Sequence, residues 1–177
     1  IELEPYNYET HLTKAKSLSQ LKRRQEAAYH YNKIIELMPL QHTGYEFLVQ
    51  NYIQLVMETG NKDYLNKVLE VYQVAANRMK SVEPSRLRLW HGEHLDQSPA
   101  LNYNAGIAQS LLGDYKAGLR HFDIALKRAR EPLKTEIKAW IIISEEKLGI
   151  KSKVNVDKQK IVEIKNKINE FMLKASD

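Results

Sequence analysis

Apolar residues recur at three- and four-residue spacing along nearly the whole chain, and the strict alternation of a half-buried strand is almost absent. The pattern predicts an all-α protein. A first helix is predicted over about 8–20, with Leu12, Ala15 and Leu18 on one face, and a second over about 25–38, where Ala27, Ala28, Tyr31, Ile34, Ile35 and Leu37 form a wide stripe that Pro39 stops. The next pair is predicted over about 45–57 and 64–80, divided by a turn at Gly60-Asn61 and closed by Pro84. A third pair starts at Pro99, behind the capping residue Ser98, runs to Leu112, turns at Gly113-Asp114 and continues from Tyr115 to about Arg130. Two further helices are predicted over about 133–148, where Gly149 supplies a C-terminal cap, and about 156–175, joined by 150–155.

These pairs repeat one another. Aligning the second helices on their aromatic residue superposes Tyr31, Tyr72 and Phe122; four residues earlier stand Ala27, Val68 and Gly118, and three later Ile34, Ala75 and Ala125. The first helices align Ala15, Val49 and Gly106 in the same way. Two helices can approach closely only where one lacks a bulky side chain, and the aromatic fills the space beside the gap. The implied units are about 8–39, 42–84 and 99–132, followed by a helix pair at about 133–175, with 85–98 as an insertion in a single domain.

The third unit carries the most specific pattern: Leu101-Asn102-Tyr103-Asn104-Ala105-Gly106, then Leu112-Gly113-Asp114-Tyr115, Gly118, Phe122 and Ala125-Leu126. It resembles the tetratricopeptide repeat, as does the first unit through Glu26-Ala27, Tyr31 and Glu36-Leu37-Met38-Pro39. The resemblance covers about 8–149 and is uneven: Val68 replaces the usual alanine, Asn102 stands where the family often has tryptophan, and the aligned aromatics lie 41 and 50 residues apart against a period of about 34. It implies a right-handed superhelical solenoid of antiparallel helix pairs with a C-terminal capping helix, whose first helices line a concave groove that binds a peptide or partner protein. The expected activity is that of a non-enzymatic scaffold or adaptor. A dedicated chaperone for a secreted partner is the alternative within the class.

Groove candidates follow from the first-helix faces opposite the small packing residues. They are Leu12, Lys16, Ser19 and Gln20 in the first unit, and Glu46, Gln50, Ile53 and Gln54 in the second. The third unit adds Tyr103, Ile107, Ser110 and Leu111, and the fourth first helix Ala139, Ile143 and Lys147. Amides, small apolar groups and an accessible tyrosine suit an extended or helical segment. Some tetratricopeptide proteins clamp the acidic tails of heat-shock chaperones with lysines, asparagines and an arginine. Here Lys16 could serve, but the other places hold Phe47, Gln50, Asn104 and Ile107, so the clamp is incomplete.

Composition narrows the remaining classes. A chain of 177 residues with 43% hydrophobic content can bury a self-supporting core, and no run of about 18 uncharged apolar residues suggests a membrane span. The opening Ile-Glu-Leu-Glu-Pro reads as an excised or processed domain. Absence of cysteine excludes disulfides and thiol catalysis but leaves the compartment open, the cytoplasm slightly favoured. The net charge of +5 is local: residues 1–126 hold 14 basic and 14 acidic side chains, and 127–177 hold 13 and 8. That mild, terminal excess disfavours a dedicated nucleic-acid binder while leaving contact of the basic end with nucleic acid, an acidic partner or an anionic surface as the alternative.

Other constellations are weaker. His91-Gly92-Glu93-His94 lacks a third metal ligand and the spacing of zinc peptidases, so no metal or cofactor is expected. In the insertion, Arg86, Arg88 and Trp90 form a loop candidate for partner contact, set against simple packing of Leu87 and Trp90 on the solenoid. In the last helix Ile161, Ile164, Ile168 and Phe171 share a face, which predicts a cap packed on the helix of Trp140, Ile141 and Ile142 with its lysines in solvent. A coiled-coil contact is the alternative, so the expected state is a monomer or weak homodimer. No phosphate loop, nucleophile elbow or acid–base carboxylate pair indicates an enzyme.

Overall fold

The computed structural model describes residues 7–81 and 94–176, and among these the regular structure is wholly helical. The helices are α1 (Tyr8–Gln20), α2 (Arg24–Leu37), α3 (His42–Thr59) and α4 (Asp63–Ser81). After a short 3₁₀ turn at Leu95–Gln97 come α5 (Pro99–Leu111), α6 (Tyr115–Leu126), α7 (Leu133–Lys147) and α8 (Lys158–Lys174). Local chemistry sets several boundaries. The side chains of Asn7, Ser98, Asp114 and Asp157 accept hydrogen bonds from the amides of Thr10, Leu101, Ala117 and Gln159, satisfying donors that a helix start would leave unpaired. The chain leaves α3 through Gly60 at φ 72°, a left-handed conformation that glycine adopts without a side-chain clash.

Successive helices through α7 pack on one another, and the first helices also meet across the stack, α3 with α5 and α5 with α7. Their closer approach places α3, α5 and α7 on the inner side of a curved layer. The core runs continuously between the layers. The residues aligned in the sequence occupy it: Ala15, Val49, Ala27, Val68, Tyr31 and Phe122 are all buried. Gly106 shows why the small residue is required, because a Cβ there would lie 2.5–2.9 Å from three atoms of the Phe122 ring. Tyr72 departs from its counterparts in remaining partly exposed, its ring meeting His121 of α6 edge-on at 4.7 Å.

The position that holds Asn102 is fully buried, and its amide has a task that an indole could not perform. Nδ2 donates to the backbone oxygens of Asp96 and Ser98, and Oδ1 lies 3.1 Å from Nδ1 of His121. The end of the insertion is thereby tied to the third pair. Ser98 is also buried and donates to Glu46 of α3, so the cap of α5 locks onto the preceding unit.

The last two helices differ from the expected antiparallel pair. Lys160 of α8 bridges to Glu136 near the start of α7 (3.2 Å), and Lys165 to Glu146 near its end (2.7 Å), so α8 runs alongside α7 in the same direction. The non-helical stretch 148–157 makes this possible by carrying the chain back along α7. α8 contacts α7, as the cap predicted from its apolar stripe would, but it also reaches α3. Its last turn meets the end of α3, where Lys174 Nζ donates to the carbonyl oxygen of Met57.

Candidate functional site on the concave face

The inner face carries two adjoining clefts that share Phe47, Gln50 and Gln54 of α3. The N-terminal cleft, about 440 Å³, lies between α1 and α3 and is bordered by Lys16, Ser19, Gln20, Phe47, Gln50 and Gln54. Gln20, Gln50 and Gln54 are exposed, and their amides have no hydrogen-bond partner among the described residues. Phe47 forms an apolar floor, stacked on Tyr31 (5.6 Å, 13°), with the Lys16 ammonium 4.8 Å above its ring. The arrangement offers donors and acceptors beside an apolar platform and one cation.

Its walls are held by a polar network that the sequence did not announce. Ser19 donates to Oδ1 of the buried Asn51 and lies 3.3 Å from the Tyr31 hydroxyl, while Asn51 Nδ2 donates to the Arg24 carbonyl. Arg24 in turn forms a two-pronged ion pair with Glu58 (2.7 and 2.8 Å). Three helices are therefore fixed to one another around the cleft, and Ser19 acts as a structural hinge pin more than as a ligand group.

The second cleft, about 460 Å³, lies between α3, α5, α7 and α8. Glu46, Ile53, Tyr103 and Ile107 border it from the solenoid, and Lys160, Ile164 and Lys167 from α8. Tyr103, expected as an accessible residue, is partly buried, and its hydroxyl donates to Glu136 (2.7 Å). Burial and the neighbouring carboxylate hold that phenol well above its ordinary pKa, so it stays a neutral donor. Glu46 is held below the ordinary carboxylate value: burial opposes its charge, but hydrogen bonds from His42 and Ser98 outweigh it.

Nine of the candidates thus border the two clefts: Lys16, Ser19, Gln20, Glu46, Gln50, Ile53, Gln54, Tyr103 and Ile107. Leu12, Ser110, Leu111, Ala139, Ile143 and Lys147 border neither. Leu111 packs against the core and Ile143 is buried within it, because each lies nearer the helix-packing side of its helix than its phase relative to the small packing residues suggested. Arg86, Arg88 and Trp90, with His91, Gly92 and Glu93, lie outside the described residues. Among the described residues no group of three metal-ligating side chains occurs, and no helix is long and apolar enough to cross a membrane. The lysine-rich end is partly neutralised, since Lys160, Lys165 and Lys167 are each ion-paired with glutamates.

No protein-family model matches the chain, and no curated protein matches it in sequence. Its architecture does have solved counterparts. Two crystal structures of MamA, a tetratricopeptide-like protein, superpose with TM-scores of 0.60 and 0.61 at 15% identity, over 98% of this chain and 77% and 82% of theirs. At that identity the likeness establishes the fold alone: the chain is an all-α solenoid of tetratricopeptide-like helical repeats.

Proposed function

We propose that the protein is an interaction scaffold whose N-terminal cleft seats an extended or helical segment of a partner protein. The observation that carries this reading is the set of unengaged amides, Gln20, Gln50 and Gln54, around the Phe47 platform. Amide side chains on rigid helices can pair with a peptide's main-chain groups without first breaking internal hydrogen bonds, and an apolar side chain of the ligand can rest on Phe47. Lys16 adds attraction for a carboxylate. The network through Ser19, Asn51 and Arg24 pre-orders the walls, so the receptor loses little entropy on binding. On this reading the protein acts by stoichiometric binding to the extended surface that such stacked repeats create.

Affinity capture with the wild type would supply a partner, whose binding to purified Lys16→Ala, Gln50→Ala and Gln54→Ala triple variant is then measured by calorimetry. A loss of at least about tenfold, equivalent to ~1.4 kcal/mol, is expected. Unchanged affinity in a variant with the wild-type unfolding midpoint would remove the N-terminal cleft as the binding site.

A further inference from the structure

α8 buries a smaller share of its residues than any other helix among the described residues. In α5, eight of 13 residues are buried, whereas in the 17 residues of α8 only Ile164 and Phe171 are. Ile161 and Ile168 are partly buried against the core, while Val162, Met172 and Leu173 are exposed. The four inward residues follow the i, i+3, i+7, i+10 spacing by which an amphipathic helix docks in a groove. The groove answers the helix in charge. Glu136, held by Tyr103, meets Lys160, Glu146 meets Lys165, and the Met57 carbonyl receives Lys174. At the far end the fit is by shape: a Cβ on Gly60 would lie 2.5 Å from the Lys174 carbonyl oxygen.

The tether allows departure as well as docking. The ten residues 148–157 span up to ~33 Å when extended, against ~22 Å for the length of α7, so once Val154 and Val156 release their packing on the core the tether is long enough for α8 to leave its seat. Few buried apolar side chains and solvent-exposed ion pairs characterise a segment that opens locally before the rest.

Resting on the reading of the concave face as a binding surface, we propose that its C-terminal half is a receptor for a basic amphipathic helix of a partner protein, for which α8 is the resident substitute. The partner helix carries apolar residues at the four spacings of α8 and lysines or arginines placed to reach Glu136 and Glu146. It binds by displacing α8.

A fluorescein-labelled peptide of residues 157–176 provides the probe, with anisotropy as the readout. The full chain carrying Ile164→Asp and Phe171→Asp releases its own helix and should bind this peptide at least tenfold more tightly than the wild type does. Adding Glu146→Lys should weaken that binding several-fold, and a peptide with both aspartates should not bind. No binding by the released chain, or equal binding of the two peptides, would overturn the proposal. Dimerisation of the released chain without peptide binding would assign the face to a second copy and overturn it as well. Because the double variant could fail to fold, amide exchange in the wild type gives an independent check: amides of α8 should exchange at least tenfold faster than those of α5 and α6, and equal rates would make α8 part of the stack. Failure of the peptide while the Lys16, Gln50 and Gln54 variant still loses its partner sinks this inference alone; peptide binding with that partner retained sinks the N-terminal cleft alone.

Discussion

Gly106→Ala tests whether the repeat's small residue is a packing requirement. The new methyl group would lie 2.5, 2.7 and 2.9 Å from Cε1, Cδ1 and Cζ of Phe122. Phe122 is fully buried, stacked on Trp140 (6.0 Å, 28°) and close to Tyr103 (6.4 Å), so the ring has no solvent to move into. Overpacking at such a site costs about 1–3 kcal/mol, with the upper end appropriate for a rigid ring. Alanine's helix propensity returns about 0.8–1 kcal/mol relative to glycine. A net loss of ~2 kcal/mol is expected, which lowers the melting temperature by about 4–8 °C in a chain of this size. Urea unfolding followed by far-ultraviolet circular dichroism should show a lower midpoint with an unchanged slope. Phe122→Leu, which removes ring atoms near the clash, should cost less in the Gly106→Ala background than in the wild type, by ~1 kcal/mol. An unchanged or raised midpoint for Gly106→Ala, or strict additivity with Phe122→Leu, would refute the packing argument.

Stability should also fall as pH drops from 7 to 5. Burial chiefly lowers the pKa of His30, assisted by Lys14 and His11 and opposed by Glu26; burial and then Arg120 lower that of His121. The unfolded chain therefore binds more protons than the folded one below about pH 6.5, so this stability is complete above that value and is lost on acidification. Urea midpoints across the range should show a shallower pH dependence for His121→Gln than for the wild type. Asn51→Ala removes the acceptor for Ser19 and the donor to the Arg24 carbonyl and should cost about 1–3 kcal/mol, read from the same unfolding curves. Asn51→Asp, which cannot donate to that carbonyl and brings a charge into a buried position, should be worse than alanine at neutral pH.

The layered part of the fold was legible because its determinants are local. Three-four spacing sets each helix, Pro39 and Gly60 mark stops, and Gly106, Gly118 and Phe122 declare a close helix–helix approach through residue type alone. The position of α8 was not legible. Its stripe of Ile161, Ile164, Ile168 and Phe171 specifies that one face must be covered, but not whether α7 alone or α7 and α3 together cover it. That choice depends on the length of 148–157 and on ion pairs between residues far apart in sequence. The buried amides were hidden for a similar reason. Asn51 and Asn102 look like surface residues in a sequence, and their burial depends on partners brought from other helices, the Arg24 carbonyl for Asn51 and the His121 ring for Asn102, the latter beside the nearby carbonyls of Asp96 and Ser98. Lys16, Gln20, Gln50 and Gln54 could be proposed from helical phase because α1 and α3 are regular. Tyr103 borders the second cleft, but the engagement of its hydroxyl is not legible in the sequence because its partner, Glu136, comes from another helix.

The central claim is that partners meet the inner face of the solenoid, and site-specific photo-crosslinking tests it most directly. A benzophenone side chain is placed either at Gln50, exposed between the two clefts, or at Val74, exposed on α4 beside α2. Each protein is irradiated with the captured partner, and the adducts are mapped by mass spectrometry. The inner-face account predicts an adduct from position 50 and none from position 74; an adduct from position 74 with none from position 50 would contradict it.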